Sequence, residues 1–213
     1  MKTEELVSLL AAGVEPIDPS LTARRCGLAL TGGLIGALIL CCGLLGLSPR
    51  LSHEIVEPMF WIREAYCAAL AFLGFIAVTR LARPGRRLGF VTAGVVCVLF
   101  LMWALASLDL LAAPSGQHAR MILGSTAAVC PFLIAMVSAP LFVGYVWTLR
   151  SLAPTRLSCA GAGGGFAAGS LGALVYSLHC PELAAPFIGI WYLLGISIPA
   201  AIGAALGPRL LRW

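Results

Sequence analysis

The chain has 213 residues, of which 60% are hydrophobic and only 11% charged, with a formal net charge of +5 at pH 7. Ordinary soluble proteins carry roughly 25% charged residues, so a soluble globular domain is excluded as the main body. The positive balance does not indicate nucleic acid, because the arginines are split among short turns instead of forming a stripe.

The first 25 residues are the one substantial soluble element. Thr3 can cap a helix whose first turn holds Glu4 and Glu5, where the positive end of the helix dipole favours acids. Leu6, Leu9 and Leu10 then fall on one face. The helix should fail by Gly13, and Pro16 and Pro19 predict an extended linker. A helix this short is marginal alone. It either lies on the membrane or docks on a soluble basic partner. Membrane-surface helices usually carry Lys or Arg on the polar face, so the acidic face favours the partner.

Six apolar windows follow: 26–47, 59–80, 88–108, 121–149, 157–178 and 183–208. Five hold no charged residue, and the second carries Arg63, Glu64 and Arg80. Each is long enough to cross a hydrocarbon core ~30 Å thick, which takes ~20 residues at ~1.5 Å rise. The predicted fold class is all-α, a six-span transmembrane helical bundle. A tail over 1–25, a membrane domain over 26–208 and a short tail over 209–213 divide the chain. The first window has no A-x-A-like site after it and reads as a true span, with no cleavable signal peptide expected.

Arginine predicts the orientation. Lys2, Arg24, Arg25, Arg80, Arg83, Arg86, Arg87, Arg150, Arg156, Arg209 and Arg212 fall on one side, leaving Arg50, Arg63 and Arg120 on the other. Basic residues in short loops stay inside, so both termini are expected to be cytoplasmic.

Within the windows, Gly32 and Gly36, Gly161, Gly165 and Gly169, and Gly203 and Gly207 recur at four-residue spacing. Small residues at that spacing let helices approach closely, and packing within one bundle is the favoured use. Window 121–149 is too long for one straight span and contains Pro131 and Pro140. It should bend, or begin as an interfacial turn and enter the bilayer near Cys130.

No enzyme constellation is apparent. A C-x-x-C motif is absent, and Gly161 to Gly165 lack the Lys of a phosphate loop. Cys26, Cys41, Cys42, Cys67, Cys97 and Cys159 lie in or at the ends of spans, where cysteine acts as a small hydrophobe. Cys130 and Cys180 differ, because each precedes a proline. Cys130 lies 20 residues before Arg150, ~30 Å along a helix, and Cys180 lies 24 residues after Arg156, ~36 Å. Both therefore reach the outer surface, where disulfides are permitted. Pro181 is a candidate first residue of the sixth span, which would make Cys180 its cap and favour thiolate there. Pro186 offers a later start, and Glu182 opposes a thiolate. His179 supplies an imidazole, so Cys130, Cys180 and His179 are candidate ligands for a soft metal ion.

The opening M-K-T-E-E-L-V-S-L-L-A, Phe60-Trp61, R-L-A-R-P-G-R-R from Arg80 to Arg87 and R-S-L-A-P-T-R from Arg150 to Arg156 form one pattern. With it go G-A-L-V-Y-S-L-H-C-P-E from Gly172 to Glu182, W-Y-L-L-G-I from Trp191 and G-P-R-L-L-R-W from Gly207. Across its whole length the chain resembles the NrsF-type membrane anti-sigma factors of bacteria. That resemblance implies a multi-pass protein of the bacterial inner membrane, not an enzyme, that holds an extracytoplasmic-function sigma factor inactive. It implies release of the sigma factor under heavy-metal or oxidative stress, with Cys130 and Cys180 as the sensing cysteines. The tail, with Leu6, Leu9 and Leu10 beside Glu4 and Glu5, becomes the candidate sigma contact, helped by the arginine-rich loops. No cofactor is required, and a transient soft metal ion is a candidate inducer. In this reading the fourth span shifts against the sixth. The rival is a small metal-ion transporter or channel with an outer thiol entry site, disfavoured by the apolar midplane. A membrane thiol oxidoreductase is weaker still, without C-x-x-C.

Overall fold

The computed structural model describes residues 3–11, 19–83 and 87–212, and among them the secondary structure is helical with no strand. Helix α1 spans Thr3–Ala11 with Glu4 and Glu5 in its first turn. The side chains of Leu6, Leu9 and Leu10 lie outside the described residues, as do Gly13 and Pro16. Helix α2 spans Pro19–Leu40 and runs into a π turn over Cys41–Leu45. Pro19, expected in an extended linker, instead opens this helix. Its fixed φ suits a first helical turn, and its missing N–H costs nothing there.

A short helix α3, Leu51–Glu54, leads to α4, Pro58–Leu81. Helix α5 spans Phe90–Ala112, followed by a 3-10 turn over Ser115–Gln117 and α6, His118–Leu123. Helix α7 spans Cys130–Ser151 and α8 spans Leu157–Tyr176. The last span is composite: α9 over Ala185–Phe187, a π turn over Ile188–Tyr192, then α10 over Leu193–Leu210. Six of these segments are long and apolar enough to cross a membrane: Arg24–Leu45, Pro58–Leu81, Phe90–Ala112, Cys130–Ser151, Leu157–Tyr176 and Ala185–Leu210. The long fourth window thus divides into α6, an irregular turn and α7, with Pro131 in the first turn of α7.

Helix α8 is the axis of the bundle, and its glycines explain why. A methyl group on Gly161 would run into the Gly203 carbonyl, and one on Gly165 into the Pro199 carbonyl. At Gly169 it would stand 2.8 Å from the Ile196 oxygen. One stripe of α8 therefore meets the backbone of α10 with no side chain between them. On other faces a methyl on Gly74 of α4 would come within 2.9 Å of the Ala167 Cα, and Gly172 abuts Ser138 of α7. Helix α2 joins through α7, where an added Cβ on Gly144 would lie 2.7 Å from the Ala29 oxygen. The pair Gly32 and Gly36 is used unevenly. Gly36 faces Pro140, whereas a Cβ added at Gly32 would meet nothing within 4 Å among the described residues. Helix α5 sits at the edge, burying only Val91, Met102 and Ala106, with Phe100 and Leu111 exposed in a face suited to lipid.

Gly165→Ala should destabilise the bundle by about 1–3 kcal/mol, because a backbone carbonyl cannot rotate away as a side chain can. Gly32→Ala, in open space, should be neutral or gain up to about 1 kcal/mol in helix propensity. Thermal unfolding in detergent separates the two, and equal midpoints for both variants would refute the direct backbone packing of α8 on α10.

Candidate functional site

One end of the bundle gathers the 46–57 segment, the 113–129 segment and the 177–184 turn; the arginine-rich connections lie at the other. The first end is organised around Arg63, in the second turn of α4. Its side chain is fully enclosed, and a guanidinium so placed must find partners, since a buried unpaired cation is very costly. It finds them in one short stretch of chain. Nη1 donates to the Cys180 oxygen at 2.8 Å and to the Glu182 oxygen at 3.1 Å. Nη2 donates to the Ser177 oxygen at 2.9 Å. The Glu64 carboxylate lies 3.5 Å from Nε, and the Phe60 ring sits 5.2 Å from Cζ.

The same turn is tied to every other segment at this end. The Ser48 N–H donates to the Leu178 carbonyl at 3.0 Å. His179 Nδ1, as donor, meets the Gly46 carbonyl at 2.9 Å. The Glu182 carboxylate accepts from the Ser125 N–H at 2.7 Å and the Ser125 hydroxyl at 2.6 Å. This clasp depends on Gly124, whose φ of +52° suits glycine and where a Cβ would lie 2.8 Å from the Glu182 carboxyl carbon.

Beneath the clasp, Cys130 at the start of α7 and Cys180 in the turn share one core cluster with Tyr66, Cys67, Tyr176 and Tyr192. Both thiols have zero solvent exposure. They were expected at the outer surface. They lie at the end of the bundle away from the arginine-rich connections, but buried within it. Helix rise gives height along the bundle and carries no information about distance from its axis. Cys180 does not cap the sixth span either: that helix begins at Ala185 with Pro186 in its first turn, so Pro181 remains in the preceding turn. Cys130 is the one with a proline-led helix start behind it.

Cys130 and Cys180 lie close enough within this cluster to influence each other's charge. The Cys130 thiol acts as donor towards Cys180 and is the largest influence pulling the Cys180 thiol down. Burial opposes it, while the Glu182 N–H, the Tyr192 hydroxyl and the Arg63 charge reinforce it, bringing Cys180 to about 6. The hydroxyls of Tyr176 and Tyr192 have no oxygen or nitrogen partner among the described residues; the two sulfurs are what they face. Thr126 Oγ1 adds a contact to Cys180 Sγ at 4.0 Å. Two adjacent thiols can lose two electrons to become a disulfide, or clamp a soft cation.

His179 is directed away, its Nδ1 committed to Gly46. Among the described residues no three His, Cys, Asp or Glu side chains are grouped to hold a metal ion, so Cys130, Cys180 and His179 are not assembled as one site. Sequence reasoning overlooked Arg63, Tyr176 and Tyr192. The available signal for Arg63 was a charged Arg-Glu pair inside an otherwise apolar span.

Fold and site define a small polytopic helical membrane protein with an enclosed thiol pair at one end. The profile of the NrsF family, described as negative regulator of sigma F, matches residues 10–213. Over 213 residues the chain is 43% identical to the probable anti-sigma-F factor NrsF of Azospira oryzae, covering 100% of both chains. It is 37% identical over 223 aligned residues to the anti-sigma-F factor NrsF of Caulobacter vibrioides, again covering 100% of both. No solved structure matches. The chain belongs to the NrsF family: it is an anti-sigma factor, a regulatory protein and not an enzyme.

A thiol lowered to about 6 is thiolate above that pH and loses its reactivity as pH falls through it. Modification of Cys180 by methyl methanethiosulfonate, followed by mass spectrometry, should therefore rise with a midpoint near pH 6, where a free thiol titrates near 8.5. Cys130→Ala should move the midpoint upward by removing the largest cause. A midpoint above 8 in both proteins would contradict this account of the pair.

Proposed function

We propose that the chain sequesters an extracytoplasmic-function sigma factor at the bacterial inner membrane and releases it when Cys130 and Cys180 meet a soft metal ion or an oxidant. The observation that carries this reading is the placement of the two thiols, brought from separate connections, in one enclosed cluster. Sigma-F, in the printed names of the Azospira oryzae and Caulobacter vibrioides relatives, indicates the type of partner. The arginine-rich end faces the cytoplasm by the excess of basic residues in its short loops, with both termini on that side. The thiol end then faces the oxidising compartment.

The output surface is the tail. Helix α1 exposes Glu4 and Glu5, and Leu6, Leu9 and Leu10 share a face by their spacing. That combination of acids and an apolar stripe suits a basic groove on a soluble partner. Metal ligation or disulfide formation alters the packing at one end, and the sigma-binding surface at the other responds through a change in bundle arrangement.

Replacing Cys130 or Cys180 by Ser should abolish induction of a sigma-dependent reporter by cadmium or peroxide, at least 10-fold, while leaving uninduced output low. Deleting residues 1–25 should instead give constitutively high output. Normal induction in the double Cys→Ser protein would exclude the thiols as the input, and low output without residues 1–25 would exclude the tail as the grip.

A further inference from the structure

We propose that Arg63 is the positioning residue that conveys the state of Cys180 to the opposite end of the bundle, with α4 as the connecting rod. This rests on the sensor reading of Cys130 and Cys180 and adds the route by which it acts.

Three observations point there. First, Arg63 holds the backbone of the sensing turn itself: the carbonyl of Cys180 and those of Ser177 and Glu182 on either side. A disulfide with Cys130, or joint ligation of an ion, must reposition Cys180 relative to α7. The carbonyl of that residue is an acceptor of Arg63, so the guanidinium must follow or let go. With no water to replace a lost partner at a fully enclosed site, intermediate positions are disfavoured. The grip is therefore a two-state element, which is what coupling between distant sites requires.

Second, α4 is continuous from Pro58 to Leu81, without an internal proline. A second arginine sits near its far end, and it holds a turn in the same manner. Arg80 Nη1 donates to the carbonyls of Arg87 at 3.3 Å and Leu88 at 3.1 Å, and its Cζ lies 4.2 Å from the Phe90 ring. Arg63 and Arg80 are ~25 Å apart along the helix. One helix thus grips the thiol-bearing turn at one end and the arginine-rich turn before α5 at the other.

Third, α4 packs along α8, so its displacement is registered against the α8–α10 pair. The contact runs from Gly74, against Ala167 and the Phe166 ring, to Leu81, whose Cδ1 a Cβ on Gly163 would meet at 2.9 Å. Helix α8 meets α10 backbone to backbone at Gly161 and Gly165 and is held on that side. Movement of Cys180 is accordingly read as displacement of α4 relative to the α8–α10 pair, in place of a shift of the fourth span against the sixth.

The test uses the full chain in cells and membranes, with Cd2+ as the probe. Arg63→Gln should keep the sigma-dependent reporter low without inducer, and Cd2+ should still protect Cys130 and Cys180 from maleimide, at a higher concentration. Induction should fall at least 10-fold. That split would not arise from a merely structural residue. Arg63→Gln inducing like the parent would overturn the relay while leaving the sensor reading intact; loss of thiol protection together with induction would reduce Arg63 to shaping the site and also overturn the relay. Induction in the Cys130→Ser, Cys180→Ser double variant would remove the sensor reading and the relay with it. Should Arg63→Gln fail to accumulate, spin labels attached by non-cysteine chemistry at the exposed Thr79 and Ser158 decide the matter. Their separation should change by a few ångströms with Cd2+ in the parent and stay fixed in Cys180→Ser. An unchanged separation in the parent would overturn the proposal.

Discussion

The enclosed guanidinium of Arg63 is the constraint on which this end of the molecule depends. A fully desolvated cation is tolerated only if its charge and donors are met. Here the partners are mainly main-chain carbonyls of the 177–182 turn, supplemented by Glu64 and Phe60. The turn in turn anchors the ends of α2 and α6 through Gly46, Ser48 and Ser125. Losing the arginine would leave three acceptors to be rehydrated or stranded, at about 1–3 kcal/mol for each that stays buried. The position of Cys180 is a by-product of satisfying Arg63, and the meeting of the two thiols follows from it.

A second constraint runs through the middle. The α8–α10 contact leaves no room for a methyl group at Gly161 or Gly165, so these two helices behave as one rigid pair. Helices α4 and α7 also approach α8 closely, at Gly74 against Ala167 and at Gly172 against Ser138, whereas α5 stays peripheral. The consequence is a tightly packed centre with an edge helix that buries few side chains.

Much of the architecture was legible in the chain because the bilayer imposes so strong a filter. Charge-free runs of about 20 residues have few other uses, and the glycine spacing declared its packing role. The two Cys-Pro dipeptides were legible for the same reason, since depth along a helix follows from counting residues. Radial position does not follow from counting, and so the enclosure of Cys130 and Cys180 was invisible. The helix cap was ambiguous because Pro181 and Pro186 both suit a first turn, and only packing of Phe187 and Ile188 into the core chooses the later one. Arg63 was hidden by its location near a predicted boundary, where a charge normally reaches water. Its partners lie more than 110 residues away in the chain, beyond any local pattern.

The burial of the thiols has a kinetic consequence. A sulfur with no solvent exposure reacts with a dissolved reagent only during the fraction of time that local opening uncovers it. The observed rate is then the intrinsic chemical rate multiplied by that open fraction. Glu182, an acid that looked like an obstacle to a nearby thiolate, instead pins the turn that carries Cys180 to the segment leading into α7, where such opening would have to break its bonds to Ser125 if those segments part.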